Sequence, residues 1–213
     1  ESEIWLEKIS RGGMEDHEMQ QLYKKGIEPL TKANIFIDDS AALNIFELRA
    51  KCRRLKNKHN VGIILIDYLQ LMSSGKRVEN RQQEVSEFSR HLKLMAKELN
   101  IPVIAISQLN RGPEQRVDKR PMLSDLRESG SIEQDADVVI MLHRDDMYDS
   151  QNRTGEADLI VAKHRNGPTR TITVSAQLHY ARFYDMPQNP GGGQDWTQQR
   201  ESTNTPPEDN FGA

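Results

Sequence analysis

An aspartate closes an aliphatic run in Leu65-Ile66-Asp67-Tyr68-Leu69-Gln70-Leu71. The stretch Val61-Gly62-Ile63-Ile64-Leu65-Ile66 has the β-branched and aliphatic character of a strand buried on both faces of a parallel sheet. In open α/β sheets ligands sit beyond the carboxyl ends of the strands. An acid placed there can hold magnesium, through water, beside a bound nucleotide. On the pattern alone, Asp67 caps the next turn equally well. A second buried run, Pro102-Val103-Ile104-Ala105-Ile106-Ser107, leads into Gln108. An amide at that edge can sense a terminal phosphate or orient water, or simply face solvent. Asp67 and Gln108 at the exits of adjacent strands say more than either does singly.

A third set lies in Lys163-His164-Arg165-Asn166-Gly167-Pro168. Residues i and i+2 on an extended segment point to the same side, so Lys163 and Arg165 form a pair of cations that can reach a phosphate on this or a neighbouring molecule. The same residues also read as a basic turn. Between these groups runs Arg127-Glu128-Ser129-Gly130-Ser131-Ile132-Glu133-Gln134-Asp135-Ala136-Asp137. Its small residues offer backbone N–H groups that bind phosphates without reading bases. Ser131, with Gln134 three residues on, reads equally as a helix cap. Arg111, Arg116, Lys119 and Arg120 add positive charge before it, and Lys76, Arg77 and Arg81 form a second basic loop after Asp67. Two such loops suit tracking of a single-stranded backbone. No aromatic residue interleaves them, so base stacking is not indicated.

The elements that must position these residues follow from periodicity. A short helix over residues 2–9 stops at Arg11-Gly12-Gly13, and a polar helical region over 15–32 ends near Gly26 or Pro29. Ile35-Phe36-Ile37 reads as a short strand. Residues 44–58 form a basic amphipathic helix with Ile45, Leu48, Cys52 and Leu55 on one face, and 73–83 form a loop. In residues 84–99, Val85, Phe88, Leu92, Met95 and Leu99 recur at three-four spacing. Asp137 to His143 and Ala157 to Lys163 are further buried strands, and 171–175 and 181–185 short antiparallel additions. This order predicts an α/β fold with a mostly parallel sheet flanked by helices. From Pro187 the composition turns to Pro, Gly, Gln, Asn and Thr, which predicts a disordered tail over 187–213.

The 213 residues suit one domain with a tail, and the net charge of −3 means that any DNA contact must be local. The one cysteine excludes an internal disulfide, and the six histidines show no metal-ligand spacing. No apolar run approaches the ~20 residues of a membrane span, and Glu1-Ser2-Glu3 does not open a signal peptide; a cytoplasmic protein is expected. The phosphate-binding loop G-x-x-x-x-G-K-[ST] is absent. The only Gly-Lys pair, Gly75-Lys76, is followed by Arg77, and Gln70 stands where the first glycine belongs.

Over about residues 1–185, the Ile66-to-Leu71 strand end, Asn80-Arg81-Gln82-Gln83-Glu84-Val85-Ser86-Glu87, the 127–137 run and the 162–168 run closely resemble the C-terminal motor domain of the DnaB family of bacterial replicative DNA helicases. So does Arg49-Ala50-Lys51-Cys52-Arg53-Arg54-Leu55. The resemblance implies a RecA-like domain over 1–186 and a homohexameric ring that hydrolyses ATP with Mg2+ while translocating on single-stranded DNA. It implies primase and a helicase loader as partners. It makes Asp67 the magnesium-associated acid, Gln108 the phosphate sensor, and Lys163 and Arg165 the cations inserted into a neighbour's ATP site. Arg127, Glu128 and Gly130 become the DNA-contacting loop. A RecA-like recombination or repair ATPase and a non-catalytic DNA-binding module are the alternatives; the 127–137 run opposes the first, and the Asp67, Gln108 and Arg165 set opposes the second.

The chain opens without Met on what reads as a helix already under way. By resemblance it begins just after the phosphate loop and the strand bearing the catalytic glutamate, and it lacks the N-terminal collar. The 213-residue chain by itself is therefore expected to hydrolyse no ATP. A measurable turnover that Asp67→Ala abolishes would contradict this.

Overall fold

The computed structural model describes residues 2–40, 43–73 and 81–186, with the backbone alone described at 81 and 127–130. Lys76, Arg77 and the tail expected over 187–213 lie outside the described residues. The first helices are α1 (Leu6–Arg11), α2 (Asp16–Leu22) and α3 (Glu28–Lys32), with a π turn at Tyr23–Ile27 between the last two. The expected stop near Gly26 or Pro29 does not occur. The π turn shifts the hydrogen-bond register, the Glu28 amide donating to the Tyr23 carbonyl, and Pro29 falls in the first turn of α3 immediately after that shift. Ile35, Phe36 and Ile37 form no strand. No described strand pairs with them, and a β-prone run without a cross-strand partner has nothing to pack against; Ile37 is 88% exposed.

Helix α4 (Ile45–His59) starts at Asn44, whose side chain accepts from the amides of Phe46 and Glu47 at 3.0 and 2.9 Å. It ends at Asn60 in the left-handed region, φ 50°. Ile45 and Cys52 are buried on the expected face, and burial pushes the Cys52 thiol up, away from reactivity. β1 (Ile64–Ile66) precedes α5 (Arg81–Leu99), which begins three residues before the expected 84. The expected stripe of α5 is the core: Val85, Phe88, Leu92, Met95 and Leu99 are all buried, together with Ile64, Leu69, Met72 and Ile101. Asn100, φ 50°, closes the helix, and β2 (Val103–Ala105) follows.

β1 and β2 pair in parallel, Ile64 opposite Val103 and Ile66 opposite Ala105. Both were expected to be longer and buried on both faces. Each is three residues long, and one face is open: Leu65 is 69% exposed, with Ile63, Ile104 and Ile106 also exposed. α5 covers only the other face. After α6 (Gly112–Gln115) and α7 (Gly130–Asp135) come β3 (Val138–His143), β4 (Glu156–His164), β5 (Arg170–Gln177) and β6 (Arg182–Asp185). These four form an antiparallel sheet in sequential order. Antiparallel pairing thus reaches back to β3, well beyond the short C-terminal strands expected. β3 is not buried throughout: Val139, Met141 and His143 point inward, and Val138, Ile140 and Leu142 outward, the alternation of a sheet with one covered face. Among the described residues no helix is long and apolar enough to cross a membrane.

Two buried carboxylates brace the sheet. Asp158 on β4 takes both guanidinium nitrogens of Arg153 at 2.8 Å, Arg120 at 2.8 Å and the Thr173 hydroxyl at 2.7 Å. Asp125 takes Arg116 in the same two-pronged way, at 2.8 and 2.7 Å, and the Met122 amide at 2.8 Å. Hydrogen bonds from Arg153 hold the Asp158 carboxyl far below the usual carboxylate range, and those from Arg116 lower Asp125. Both groups therefore stabilise the fold fully above the unfolded carboxyl pKa, about 3.9, and lose that contribution as pH falls toward their depressed folded values. Asp158→Asn should cost about 3 kcal/mol near neutrality, as a buried pair broken on one side does. In denaturant melts its deficit against the parent should narrow below pH ~4. A deficit independent of pH down to 2 would rule out the charge as the cause.

Candidate functional site

Asp67 follows Ile66 directly, at the carboxyl end of β1. The ladder continues past the strand: the Ile106 amide donates to the Ile66 carbonyl and the Leu69 amide to the Ile106 carbonyl, both at 2.9 Å. Gln108 leaves β2 on the same edge. The sequence therefore places Asp67 and Gln108 correctly at neighbouring exits, and both are exposed. Gln70, which sequence reasoning passed over, joins the exits. Its amide nitrogen donates to the Ser107 hydroxyl at 3.1 Å and the Gln108 carbonyl at 3.2 Å, and its oxygen accepts from the Gln108 amide at 3.2 Å. Buried Leu69 anchors the 3-10 turn Leu69–Leu71 that carries it. An exposed carboxylate at a strand exit suits a hard cation held through water.

Lys163 and Arg165 do share one side. Lys163 Nζ donates to the carbonyls of Glu133 and Gln134, and Arg165 to that of Gln134 at 3.1 Å. Arg165 Nε lies 3.3 Å from Asp137 Oδ1, and its amide donates to the Asp137 carbonyl at 2.8 Å. Lys93, from α5, forms a short ion pair with the same Asp137 carboxylate. That hydrogen bond is the main cause of the lowered Asp137 pKa, with Arg165 and Lys163 adding to it. Both candidate cations thus meet the C-terminal end of α7. Among the described residues no hydrogen bond or ion pair joins them to Asp67 or Gln108.

Arg127 and Glu128 lie in a 3-10 stretch, Leu123–Ser129, kinked at Leu126, and Gly130 is the first residue of α7, which follows it directly. Arg81 opens α5. Ser131 does not cap a helix as its spacing suggested. Its hydroxyl donates to Ser86 at 2.8 Å, and its carbonyl accepts from Ser89 at 3.4 Å, fastening α7 to α5. Arg116 and Arg120, expected to add local positive charge, pair with Asp125 and Asp158. Among the described residues no three His, Cys, Asp or Glu side chains gather as a direct metal cage. One missed signal was legible: Asp158 interrupts an apolar strand, and a charge there requires partners. The role of Asp137 had no such signature, because Lys93 lies 44 residues away.

The family of DnaB-like helicase C-terminal domains matches residues 1–185. The chain is 61% identical over 187 residues to the replicative DNA helicase DnaB of Mycobacterium leprae (strain TN), covering 87% of this chain and 31% of that protein. It is 68% identical over 158 residues to the DnaB of Leifsonia xyli subsp. xyli, covering 74% and 35%. The chain thus spans about a third of the length of the curated relatives it matches. Among solved structures, a DnaB-like replicative helicase, described with its interactions with primase, superposes with a TM-score of 0.81 at 41% identity, covering 87% of this chain and 46% of that one. A second solved structure, an isolated ATPase domain, gives a TM-score of 0.81 at 41% identity, covering 87% and 67%. Both carry the RecA-like ATPase fold.

Gln70→Ala removes three hydrogen bonds between the exits. At about 0.5 kcal/mol each, the low end for hydrogen bonds and suited to partly exposed ones, a loss of about 1.5 kcal/mol is expected. Amide exchange at Gln108 should rise, since its N–H loses its acceptor. Unchanged Gln108 protection would contradict the clamp.

Proposed function

This chain belongs to the DnaB-like helicase C-terminal domain family, and we propose that it forms part of the ATP-driven motor of a replicative DNA helicase acting in the bacterial cytoplasm. The observation that carries the reading is the parallel register of β1 and β2, from whose neighbouring carboxyl ends exposed Asp67 and Gln108 emerge. Asp67 would hold Mg2+ through water, and the ion would supply positive charge against the phosphates of bound ATP. Gln108 reports whether the terminal phosphate is present. Its backbone is tied to Gln70, so a shift there is passed to the turn after Asp67.

Lys163 and Arg165 act on the nucleotide of a second copy. Support comes from their position on one side of the end of β4, where among the described residues they bond α7 and Asp137 and not Asp67. Such an arrangement needs a closed ring of like subunits, and a homohexamer is the state proposed. Arg127, Glu128 and Gly130, with Lys76, Arg77 and Arg81, are the residues proposed to contact single-stranded DNA, whose phosphates backbone amides and cations grip without reading sequence. Primase is proposed as a partner because a similar helicase is described interacting with one; a helicase loader follows from the family resemblance.

The test uses the full-length assembled protein. An arginine supplied in trans acts on charge that develops during phosphoryl transfer and contributes ~10³–10⁵ in rate. Arg165→Ala should therefore lower ATP turnover at least ~100-fold while nucleotide affinity changes by no more than a few-fold. Equal losses in a binding titration and in a steady-state ATPase assay would refute the trans role.

A further inference from the structure

The C-terminus of α7 is a helix end finished by side chains from elsewhere. The Ile132 carbonyl receives the Ala136 amide at 2.9 Å, whereas the Glu133 and Gln134 carbonyls receive Lys163 and Arg165. Unsatisfied carbonyls at a helix end carry partial negative charge and favour cations. Asp137, two residues beyond the helix, completes the negative cluster and shares its carboxylate between Arg165 and Lys93. Lys163, held on the Glu133 and Gln134 carbonyls, brings a third cation to the same helix end. Arg165 is the looser of the two ion-paired partners of Asp137: its side chain is 48% exposed against 21% for Lys93, and its contact with Asp137 is the longer. The other end of α7 follows directly on residues 127–129, beyond the kink at Leu126.

We propose that Asp137 is a positioning residue that stores Arg165 on the C-terminal carbonyls of α7, so that a phosphate on a second copy of the chain competes with α7 for that cation. When Arg165 leaves for the phosphate, the Gln134 carbonyl loses a donor and the C-terminal turn of α7 loosens. The change is felt along six residues of helix at the 127–130 segment. Anything that binds that segment shifts the balance in return, because coupling between two sites is reciprocal. This inference rests on the proposed trans role of Arg165.

The experiment compares ATP turnover of the full-length assembled protein with and without a single-stranded oligonucleotide. Melting and sedimentation are followed in parallel. Asp137→Asn removes the anion that stores Arg165, and the stimulation ratio should fall about two- to fivefold, the size expected of one cation at a helix C-terminus. Lys93→Gln leaves the whole carboxylate to Arg165. Its ratio should not fall, and its DNA-saturated turnover should drop at an unchanged KM for ATP. Lys93→Gln decides the matter should Asp137→Asn fail to fold: a wild-type turnover number there overturns the proposal. Loss of a merely structural ion pair moves both variants the same way, so parallel falls in the ratio also overturn it, as does a wild-type ratio in Asp137→Asn. Arg165→Ala separates the two levels. If it turns over ATP like the parent, the trans role fails and the inference falls with it; if it is defective while Asp137→Asn keeps the parent's ratio, the inference alone has failed.

Discussion

The placement of the whole region between the parallel pair and the antiparallel sheet depends on two buried negative charges. A carboxylate taken out of water must be paired or it opposes folding. Asp125 and Asp158 are paired by Arg116 and Arg120, which lie on one loop. That loop cannot drift without unpairing both. The Arg116 guanidinium also donates to the Arg120 carbonyl at 2.7 Å, and the Asn110 amide to the Asp125 carbonyl at 3.0 Å. Leu126, next to Asp125, is thereby held in the small core it shares with Val139 and Met141. Asp158 simultaneously draws in Arg153 from the turn after β3 and Thr173 from β5. One residue of β4 thus fixes a loop, a turn and a neighbouring strand.

Helix α5 connects this braced region to the edge that bears Asp67. Its buried stripe packs on β1 and β2, while Ser86 and Lys93 reach α7 and Asp137. A rigid helix shared in this way couples strand exits and helix end without direct contact between them. α5 is nineteen residues long, and its contacts to α7 and Asp137 come from Ser86, Ser89 and Lys93.

Much of this was legible in the residues. The three-four spacing of Val85, Phe88, Leu92, Met95 and Leu99 names the core stripe because helix periodicity is a local property. The exits at Asp67 and Gln108 follow from where apolar runs stop. What was not legible is non-local. The direction in which β3 and β4 pair is not written in either strand; their apolar runs read as parallel, and only the alternation in β3 burial reveals a sheet with one covered face. The run Ile35-Phe36-Ile37 has strand composition but no partner. The basic residues 116 and 120 resemble a phosphate-binding patch until the buried acids that consume their charge are located.

The distribution of charge then bears on how such a site must be completed. The edge with Asp67 and Gln108 is exposed and carries no cation bonded to it among the described residues, whereas the end of β4 carries Lys163 and Arg165 on helix carbonyls. A polyphosphate needs cations around it, and an acid edge alone would repel it. Within one copy the two halves are braced by different elements: Gln70 holds one, and α7 with Asp137 the other. Whichever copy brings the phosphate, it replaces the Gln134 carbonyl and the Asp137 carboxylate as the partner of Arg165. Under the proposed trans arrangement the acid edge of one copy meets the cation edge of another; complementary rather than identical surfaces then meet, a head-to-tail contact, and head-to-tail contacts repeated with closure give rings rather than two-fold dimers.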